Sequence, residues 1–253
     1  MVIHVENIQK SFGKQEVLKG IDLDFFEGQI YSILGPNGSG KTTFMKSILG
    51  LVKPNNGKIM VGGSDGMKDH EYRSNIGYVP QIARFPENLK VNEVIDLVTS
   101  IRKQPSFPQE FVELFQIESF LNQRLKNLSG GTRQKVNLVL ALMFKSDILI
   151  LDEPTTGLDP INTIRLKELL LQLKSEGKTI IVTTHILHLA EELSDDIIFL
   201  LEGHVKYHGS TDRLLKLSHT KNLEEAIAAI LQGEIDSEEE TPVVNIYNRK
   251  KNA

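Results

Sequence analysis

Hydrophobic and polar residues alternate along two stretches near the start of the chain. Residues 2–8 (VIHVENI) and 17–26 (VLKGIDLDFF) have this period of two, which predicts half-buried strands. Other strand candidates are mostly apolar, as expected for strands covered on both faces of a parallel sheet. These candidates are 30–34, 59–63, 76–81, 147–152, 179–185, 197–201 and 204–209.

Apolar residues at helical spacing occupy most of the chain between these strands. One such stretch follows residue 43, and the stretch 88–127 has helical spacing and no strong strand pattern. Further helices are predicted after residue 129, after residue 160 and over 222–232. Strands that alternate with helices predict an α/β fold with a mostly parallel sheet and a small helical insertion.

Composition narrows the class of protein. Of 253 residues, 40% are apolar and 25% charged, which is typical of a globular protein. A net charge of −4 argues against nucleic acid as the main partner, and the lack of cysteine excludes thiolate metal sites. The N-terminus lacks the apolar core of a signal peptide. The longest apolar candidate, 136–144, is too short to span a bilayer and contains Asn137, so we expect another chain to supply any membrane span.

The strongest chemical signal is the sequence G-x-x-x-x-G-K-T from Gly35 to Thr42. It stands between a predicted strand and a predicted helix, which is the setting of a phosphate-binding loop. Glycines at 35, 38 and 40 allow main-chain N–H groups to approach phosphate closely. Lys41 opens the helix and can face the β- and γ-phosphates, and the Thr42 hydroxyl can bind Mg²⁺.

Two carboxylates stand at the end of a buried strand. Asp152 and Glu153 follow four apolar residues, and successive strand residues point to opposite sides, so the two acids can have different roles. Asp152 can support Mg²⁺, and Glu153 can accept a proton from an attacking water. His185, at the end of another buried strand, can donate to a γ-phosphate.

Three further features each have a functional and an ordinary interpretation. Ser129 precedes two glycines and a helix, which is either a second phosphate-reading turn or a simple helix cap. Phe12 is either a platform for a base or a core residue. Gln81, just past a strand, either reaches Mg²⁺ and the γ-phosphate or is a solvated loop residue.

Taken together, the motifs GPNGSGKTT, YVPQ, LSGG, ILILDEP, GLDP and TTH occur in an order that resembles the ATP-binding-cassette (ABC) ATPase family. The resemblance implies a P-loop NTPase fold with a mostly parallel core sheet, an antiparallel β subdomain and a helical subdomain at about 86–145. It implies an ATPase domain over 1–220. We expect residues 221–253 to form an extension, with a helix followed by an acidic linker and a disordered tail.

The resemblance also implies ATP and Mg²⁺ as ligands and assigns residues to them. The residues that it places around ATP are Phe12, Gly35, Pro36, Asn37, Gly38, Ser39, Gly40, Lys41, Thr42, Thr43, Gln81, Ser129, Gly130, Gly131 and Asp159. The expected catalytic groups are Glu153, His185 and Lys41, and the expected Mg²⁺ ligands are Thr42, Gln81 and Asp152. Two residues depart from the usual motifs: Phe12 replaces a tyrosine, and Thr132 replaces the glutamine of LSGGQ.

The resemblance further implies partners. Two copies are expected to meet head to tail, so that residues 129–131 of one copy close over the ATP of the other. The segment 81–95, with Phe85, is similar to drug- and lipid-type (type-2) exporter ATPases. We therefore expect separate multi-spanning membrane subunits, no nucleic acid, and a place on the cytoplasmic face of the membrane. A soluble cassette ATPase for cofactor assembly is the alternative. The signature region also resembles, more weakly, the ATPase for copper-site maturation of nitrous-oxide reductase.

Overall fold

The computed structural model describes residues 1–233, which form ten strands and eight α-helices. The strands are β1 (Ile3–Phe12), β2 (Gln15–Phe25), β3 (Ile30–Leu34), β4 (Asn56–Val61), β5 (Ser64–Asp65), β6 (Ile76–Val79), β7 (Ile148–Asp152), β8 (Thr179–Thr183), β9 (Asp196–Leu201) and β10 (His204–Gly209). The helices are α1 (Lys41–Ile48), α2 (Val91–Arg102), α3 (Pro108–Leu114), α4 (Gly130–Leu142), α5 (Pro160–Ser175), α6 (Leu187–Leu193), α7 (Thr211–Ser218) and α8 (Leu223–Gln232). Short 3₁₀ helices cover Glu71–Asn75, Glu118–Phe120 and Leu125–Asn127.

The strands form two sheets. The first is antiparallel in the order β2-β1-β4-β5, and the second has the order β10-β9-β3-β8-β7-β6. In the second sheet the strands from β9 to β6 run parallel, and β10 alone pairs antiparallel. The predicted α/β fold with a mostly parallel core sheet and an antiparallel β sheet is therefore confirmed.

The parallel sheet places the chemistry at one edge. All five residues of β3, of β7 and of β8 are buried, as their apolar sequences predict. In the sheet register Asp152 lies opposite Thr183 across β7 and β8, and Ile33 also pairs with Thr183 across β3 and β8. The phosphate loop after β3 and the carboxylates at the end of β7 consequently leave the same end of the sheet, with β8 between them.

Some boundaries differ from the sequence prediction. β6 ends at Val79 rather than residue 81, because Pro80 has no N–H with which to continue the ladder. β4 begins at Asn56 and stops before Gly62 and Gly63, which form the turn into β5 with positive φ values of +57° and +85°. The short helices α6 and α7 were not predicted, since two turns leave too few apolar repeats for a periodic signal.

No β-strand occurs between Val91 and Leu142, a range that the structure describes in full, and its regular elements are all helices. Their core is continuous with that on one face of the parallel sheet, and Phe111 and Phe115 are fully buried in it. Helix α4 lies close on β6, because a Cβ added at Gly77 would come within 2.6 Å of the carbonyl oxygen of Ala141. The subdomain boundary near 86–145 remains a prediction.

The C-terminal part of the described chain packs near the β9–β10 end of the parallel sheet, the end opposite β6. Helix α8 confirms the helix predicted over 222–232, and its Leu223, Ile227 and Ile230 share a core with Phe199 of β9. The acidic linker and tail, expected over 234–253, lie outside the described residues. Within residues 1–233, none of the helices has the length and apolar character needed to span a bilayer.

Candidate functional site

The phosphate loop adopts a conformation that requires glycine. Gly35 has a φ of +147°, and a Cβ there would lie 2.0 Å from the carbonyl oxygen of Leu200. Gly40 has a φ of +109°, and its Cβ would lie 2.9 Å from the carbonyl oxygen of Val17. Helix α1 starts at Lys41, as predicted, and its N-cap is Gly40, which has no side chain to occupy the first N–H groups. The start of α1 can therefore receive an anion.

The ammonium group of Lys41 is hydrogen-bonded to the phosphate loop. Its Nζ donates to the carbonyl oxygens of Gly35 at 2.7 Å and Pro36 at 3.0 Å. Burial lowers the pKa of Lys41, while the carboxylates of Glu153 and Asp152 oppose that shift. The ammonium thus lies between the phosphate loop and both acids, in a place where a negatively charged ligand would stabilise it.

Asp152 is locked in place by two hydroxyl groups. It is 2% exposed, and its carboxylate accepts from Thr42 Oγ1 at 3.0 Å and from Thr183 Oγ1 at 2.6 Å. Buried carboxylates need such partners, because an unpaired one would be strongly destabilising. Thr183 was not predicted, because its role depends on the pairing register between β7 and β8.

Glu153 is held in a strained backbone conformation. Its φ is +48°, in the left-handed region that side chains disfavour. The main-chain N–H donates to the carbonyl oxygen of Thr183 at 3.2 Å and to its hydroxyl at 2.9 Å. Glu153 Oε2 accepts from Thr156 Oγ1 at 3.3 Å and lies 3.4 Å from His185 Nδ1. The Glu153 side chain is 14% exposed and that of His185 68%, so the histidine lies on the solvent side of the acid.

A pocket of about 280 Å³ lies against the phosphate loop, Lys41 and Glu153. Its lining residues are Gln15, Val17, Asn37, Gly38, Gly40, Lys41, Thr42, Thr43, Gln81 and Glu153. Gln15 and Val17 were not predicted, because β2 reaches the pocket only through the pairing of distant strands. Phe12 lies at the pocket mouth: it pairs with Gln15 across β1 and β2 and is 52% exposed. Lys10 Nζ lies 4.8 Å from the centre of the Phe12 ring.

The turn at 129–131 lies outside this pocket lining. Ser129 is the N-cap of α4, as predicted, and its Oγ accepts from Thr132 N at 3.2 Å. Ser129 and Gly130 are exposed, whereas Gly131 is packed so tightly that a Cβ would lie 2.5 Å from the carbonyl oxygen of Gly157. The bare N–H groups at the start of α4 therefore face outward from the molecule.

Asp159 lies beside this turn. It is the N-cap of α5 and accepts from Asn162 N at 2.9 Å, and this hydrogen bond lowers the pKa of the Asp159 carboxyl. Its Oδ2 also lies 3.8 Å from Lys135 Nζ on α4. Asp159 thus lies beside α4, the helix that Ser129 caps. Of the other predicted site residues, Asp152 joins the pocket through its hydrogen bond with Thr42, His185 adjoins Glu153, and the following line the pocket itself: Asn37, Gly38, Gly40, Lys41, Thr42, Thr43, Gln81 and Glu153.

The groups around Thr42 suit Mg²⁺. A threonine hydroxyl and a carboxylate are hard oxygen donors, and Mg²⁺ commonly takes one or two such protein ligands together with substrate phosphates. The Thr42 to Asp152 hydrogen bond shows that these two donors already converge beside the phosphate loop. Among residues 1–233 no group of three or more His, Cys, Asp or Glu side chains could hold a metal ion. Any Mg²⁺ here would therefore rely on the nucleotide.

Comparison with known proteins decides the family. Residues 18–156 match the sequence model described as ABC transporter. The chain belongs to the ABC transporter family. It is an ATP-binding subunit of that family, and it is an ATP hydrolase.

Several relatives of this ABC ATPase have been named for export or transport. It is 35% identical to the Nod factor export ATP-binding protein I of Rhizobium sp. (strain N33) over 222 residues, covering 85% of this chain and 73% of the relative. It is 32% identical to the lantibiotic transport ATP-binding protein SrtF of Streptococcus pyogenes over 214 residues, covering 83% of this chain and 93% of the relative.

Solved structures show the same fold. A structure described as the ATP binding subunit of an ABC transporter matches with a TM-score of 0.85 and 28% identity, over 91% of this chain and 100% of that one. A dimeric ATP-binding cassette in a post-hydrolysis state, bound to ADP and Pi, matches with a TM-score of 0.75 and 28% identity, over 82% of this chain and 98% of that one.

Proposed function

We propose that this ABC ATPase energises export through separate membrane subunits, and that its pocket hydrolyses the β–γ bond of ATP with Mg²⁺. The observation that carries the hydrolysis proposal is the convergence of Lys41, Asp152 and Glu153 beside the phosphate loop. Phe12 stacks on the adenine, which its exposed ring permits. The loop N–H groups and Lys41 bind the phosphates.

Each carboxylate has a separate role in this proposal. The buried Asp152, together with Thr42 and with Gln81 on the pocket wall, holds Mg²⁺, which offsets charge on the phosphates. Glu153 orients a water and accepts its proton as the water oxygen attacks the γ-phosphorus. The bond from that phosphorus to the bridging oxygen breaks, which leaves ADP and phosphate. His185, which neighbours Glu153, donates to the γ-phosphate.

The dimer is a second part of the proposal. Residues 129–131 expose helix N–H groups outside the pocket lining, so a single copy presents two phosphate-reading elements that do not meet. A head-to-tail dimer brings the turn of one copy over the ATP of the other and completes two equal sites. Related cassettes have been described as dimeric, one of them with ADP and Pi.

Replacing Glu153 by glutamine tests the hydrolysis proposal. Because an amide cannot accept the proton, we expect kcat to fall about 10²-fold to 10⁴-fold, with ATP affinity unchanged. Phosphate release and equilibrium nucleotide binding measure the two effects. The control is Glu176→Gln, which makes the same change beyond the end of α5. Turnover of Glu153→Gln at the wild-type rate would refute the assignment.

Exposed apolar side chains support a membrane-subunit partner. Leu51, Ile82, Leu97 and Ile101 are 59%, 70%, 41% and 70% exposed. Arg73 donates to the carbonyl oxygen of Gly50, next to Leu51, at 3.0 Å, and Arg102, next to Ile101, donates to that of Ile76 at 3.1 Å, so Leu51 and Ile101 both lie near the segment 73–76. Where exposed apolar side chains form a patch, they commonly mark a protein contact.

Phe85, in the segment 81–95 that is similar to type-2 exporter ATPases, is partly buried and packs against the core. We expect the full chain to co-purify from detergent extract with a multi-spanning membrane protein. Ile101→Asp should abolish that association, whereas Ile164→Asp, at an isoleucine of α5 that is 56% exposed, should preserve it. A chain that associates with no spanning protein in either form would favour the soluble cofactor-assembly alternative.

The weaker resemblance to the ATPase of copper-site maturation gives a narrower candidate for the process that the exporter serves, which is the maturation of a copper-containing enzyme. It rests on a few residues from Ser129 to Leu142, none of which lines the nucleotide pocket. Identification of the co-purified membrane subunit tests it directly. The proposed place of the chain is the cytoplasmic face of the membrane, where its ATP is supplied.

A further inference from the structure

Helix α4 buries two amide side chains in an otherwise apolar stretch. Gln134 is 8% exposed and Asn137 is 2% exposed, whereas the five residues from Leu138 to Leu142 are all apolar and buried. A buried amide is destabilising unless its hydrogen bonds are satisfied. Both amides therefore need specific partners, and the identity of those partners indicates what they do.

The two amides contact the two loops that carry proposed site residues. Asn137 Nδ2 donates to the carbonyl oxygen of Pro80 at 3.1 Å, and that carbonyl belongs to the peptide that leads into Gln81. Gln134 Nε2 donates to the carbonyl oxygen of Pro154 at 2.8 Å, immediately after Glu153. Neither carbonyl belongs to a β-ladder, because β6 ends at Val79 and β7 at Asp152.

The amides also contact one another. Asn137 Nδ2 lies 3.3 Å from Gln134 Oε1, so one turn of α4 links both loops through a single connected network. Ser129 caps the same helix five residues earlier, and Gly131 packs on Gly157. The signature turn, the Gln81 loop and the Glu153 turn are thereby joined through α4.

The Glu153 turn needs such support. A left-handed φ is unfavourable for glutamate, and conformations of this kind persist only where their surroundings hold them. Thr183 holds the N–H of Glu153 from the sheet side. Gln134 holds the next residue from the helix side, so the turn is fixed from both directions.

We propose that Gln134 and Asn137 are positioning residues for hydrolysis: they set the Glu153 turn and the Gln81 loop relative to the signature helix. This inference rests on the proposed roles of Glu153 and Gln81. A movement of α4, such as one that accompanies closure of the dimer, would pull on both loops together. Nucleotide binding by the phosphate loop does not use this network, because no phosphate-loop residue contacts either amide in the described hydrogen bonds.

The test compares binding with turnover in the full chain. Gln134→Met and Asn137→Ala each remove one donor. We expect kcat to fall about tenfold to a hundredfold, the effect of a small misplacement of catalytic groups, with ATP affinity changed less than about twofold because the phosphate loop and Lys41 stay in place. Asn137→Ser keeps a donor and should recover part of the loss. The double variant Gln134→Met with Asn137→Ala should be no slower than the slower single variant, because both act through one network.

Val139→Ala is the matched control for stability, since Val139 is a fully buried apolar residue of the same helix. It should lower the thermal midpoint as much as the amide variants do and leave kcat unchanged. The inference fails if Val139→Ala lowers kcat equally, if the amide variants raise KM at unchanged kcat, or if the two losses multiply. An active Glu153→Gln enzyme would instead overturn the assignment of Glu153, a result that is measured separately.

Discussion

The phosphate loop and the turn at 129–131 are both helix starts with glycines, yet their surroundings differ. The phosphate loop lies in a pocket of about 280 Å³ with a buried ammonium and two carboxylates nearby. In the turn at 129–131, Ser129 and Gly130 are exposed, and none of its three residues lines that pocket. The first site can bind a triphosphate within one chain, whereas the second offers only dipoles and a hydroxyl to solvent.

The phosphate loop and the turn at 129–131 have separate roles in ATP binding and in closure of the site. A helix start contributes a modest electrostatic effect when solvent screens it, and much more when a closed site excludes water. The turn at 129–131 can therefore matter for catalysis only when another surface covers it. We infer that affinity for ATP comes from the phosphate loop of one copy and that closure comes from the turn of its partner.

Removing the phosphate-loop cation should have the largest effect on binding. For Lys41→Met we expect the dissociation constant of ATP to rise about tenfold to a hundredfold, because a charge-assisted contact contributes roughly 1.5–3 kcal/mol. Calorimetry measures the change. The control Lys46→Met removes a lysine in the last turn of the same helix and should leave affinity unchanged. If Lys41→Met bound ATP as tightly as the wild type, affinity could no longer be assigned to the phosphate loop rather than to the turn at 129–131.

A negative charge at the turn 129–131 should have a smaller effect, because it should weaken only the ATP-dependent dimer and not ATP binding by one copy. Aspartate is as good an N-cap as serine, so Ser129→Asp preserves α4 but repels phosphate. We expect single copies to bind ATP normally, the ATP-dependent dimer to be lost, and turnover to fall at least about tenfold. Size-exclusion chromatography in the Glu153→Gln background measures the dimer.

The control for this variant makes the same change at another cap. Ser210 is the N-cap of α7 and accepts from Arg213 N, far along the chain from the pocket residues. Ser210→Asp should leave the dimer and the turnover unchanged. If Ser129→Asp weakened ATP binding by the single copy, the turn would be part of the first pocket and the comparison would be wrong.

The sequence predicts those parts of the site that depend on local chemistry. Glycines at 35 and 40 follow from the sterics of a tight turn, and Ser129 as a cap follows from its place before a helix. The buried strands follow from their apolar runs. Each of these features is decided by residues within about one turn or strand, so one segment of sequence contains the whole signal.

Features set by pairing between distant segments were not predictable in this way. Thr183 binds Asp152 only because β7 and β8 pair in one register. Gln15 lines the pocket only because β2 passes over Gly40. Asn137 drew attention in the sequence as a polar residue in an apolar run, but its partner, the carbonyl of Pro80, depends on how α4 packs on β6.

Replacement of Phe12, at the rim of the pocket, should have the smallest effect on ATP affinity, because it leaves the phosphate-binding groups unchanged. Phe12 is 52% exposed and carries no charge, so its contribution is limited to stacking on the adenine. For Phe12→Ala we expect ATP affinity to fall about fivefold, the effect of roughly 1 kcal/mol of stacking, and Phe12→Tyr should keep wild-type affinity. The same variant should bind inorganic triphosphate as the wild type does, because that ligand has no base. A loss of triphosphate binding in Phe12→Ala would mean that Phe12 supports the phosphate loop, and the division between base and phosphate recognition within the pocket would have to be abandoned.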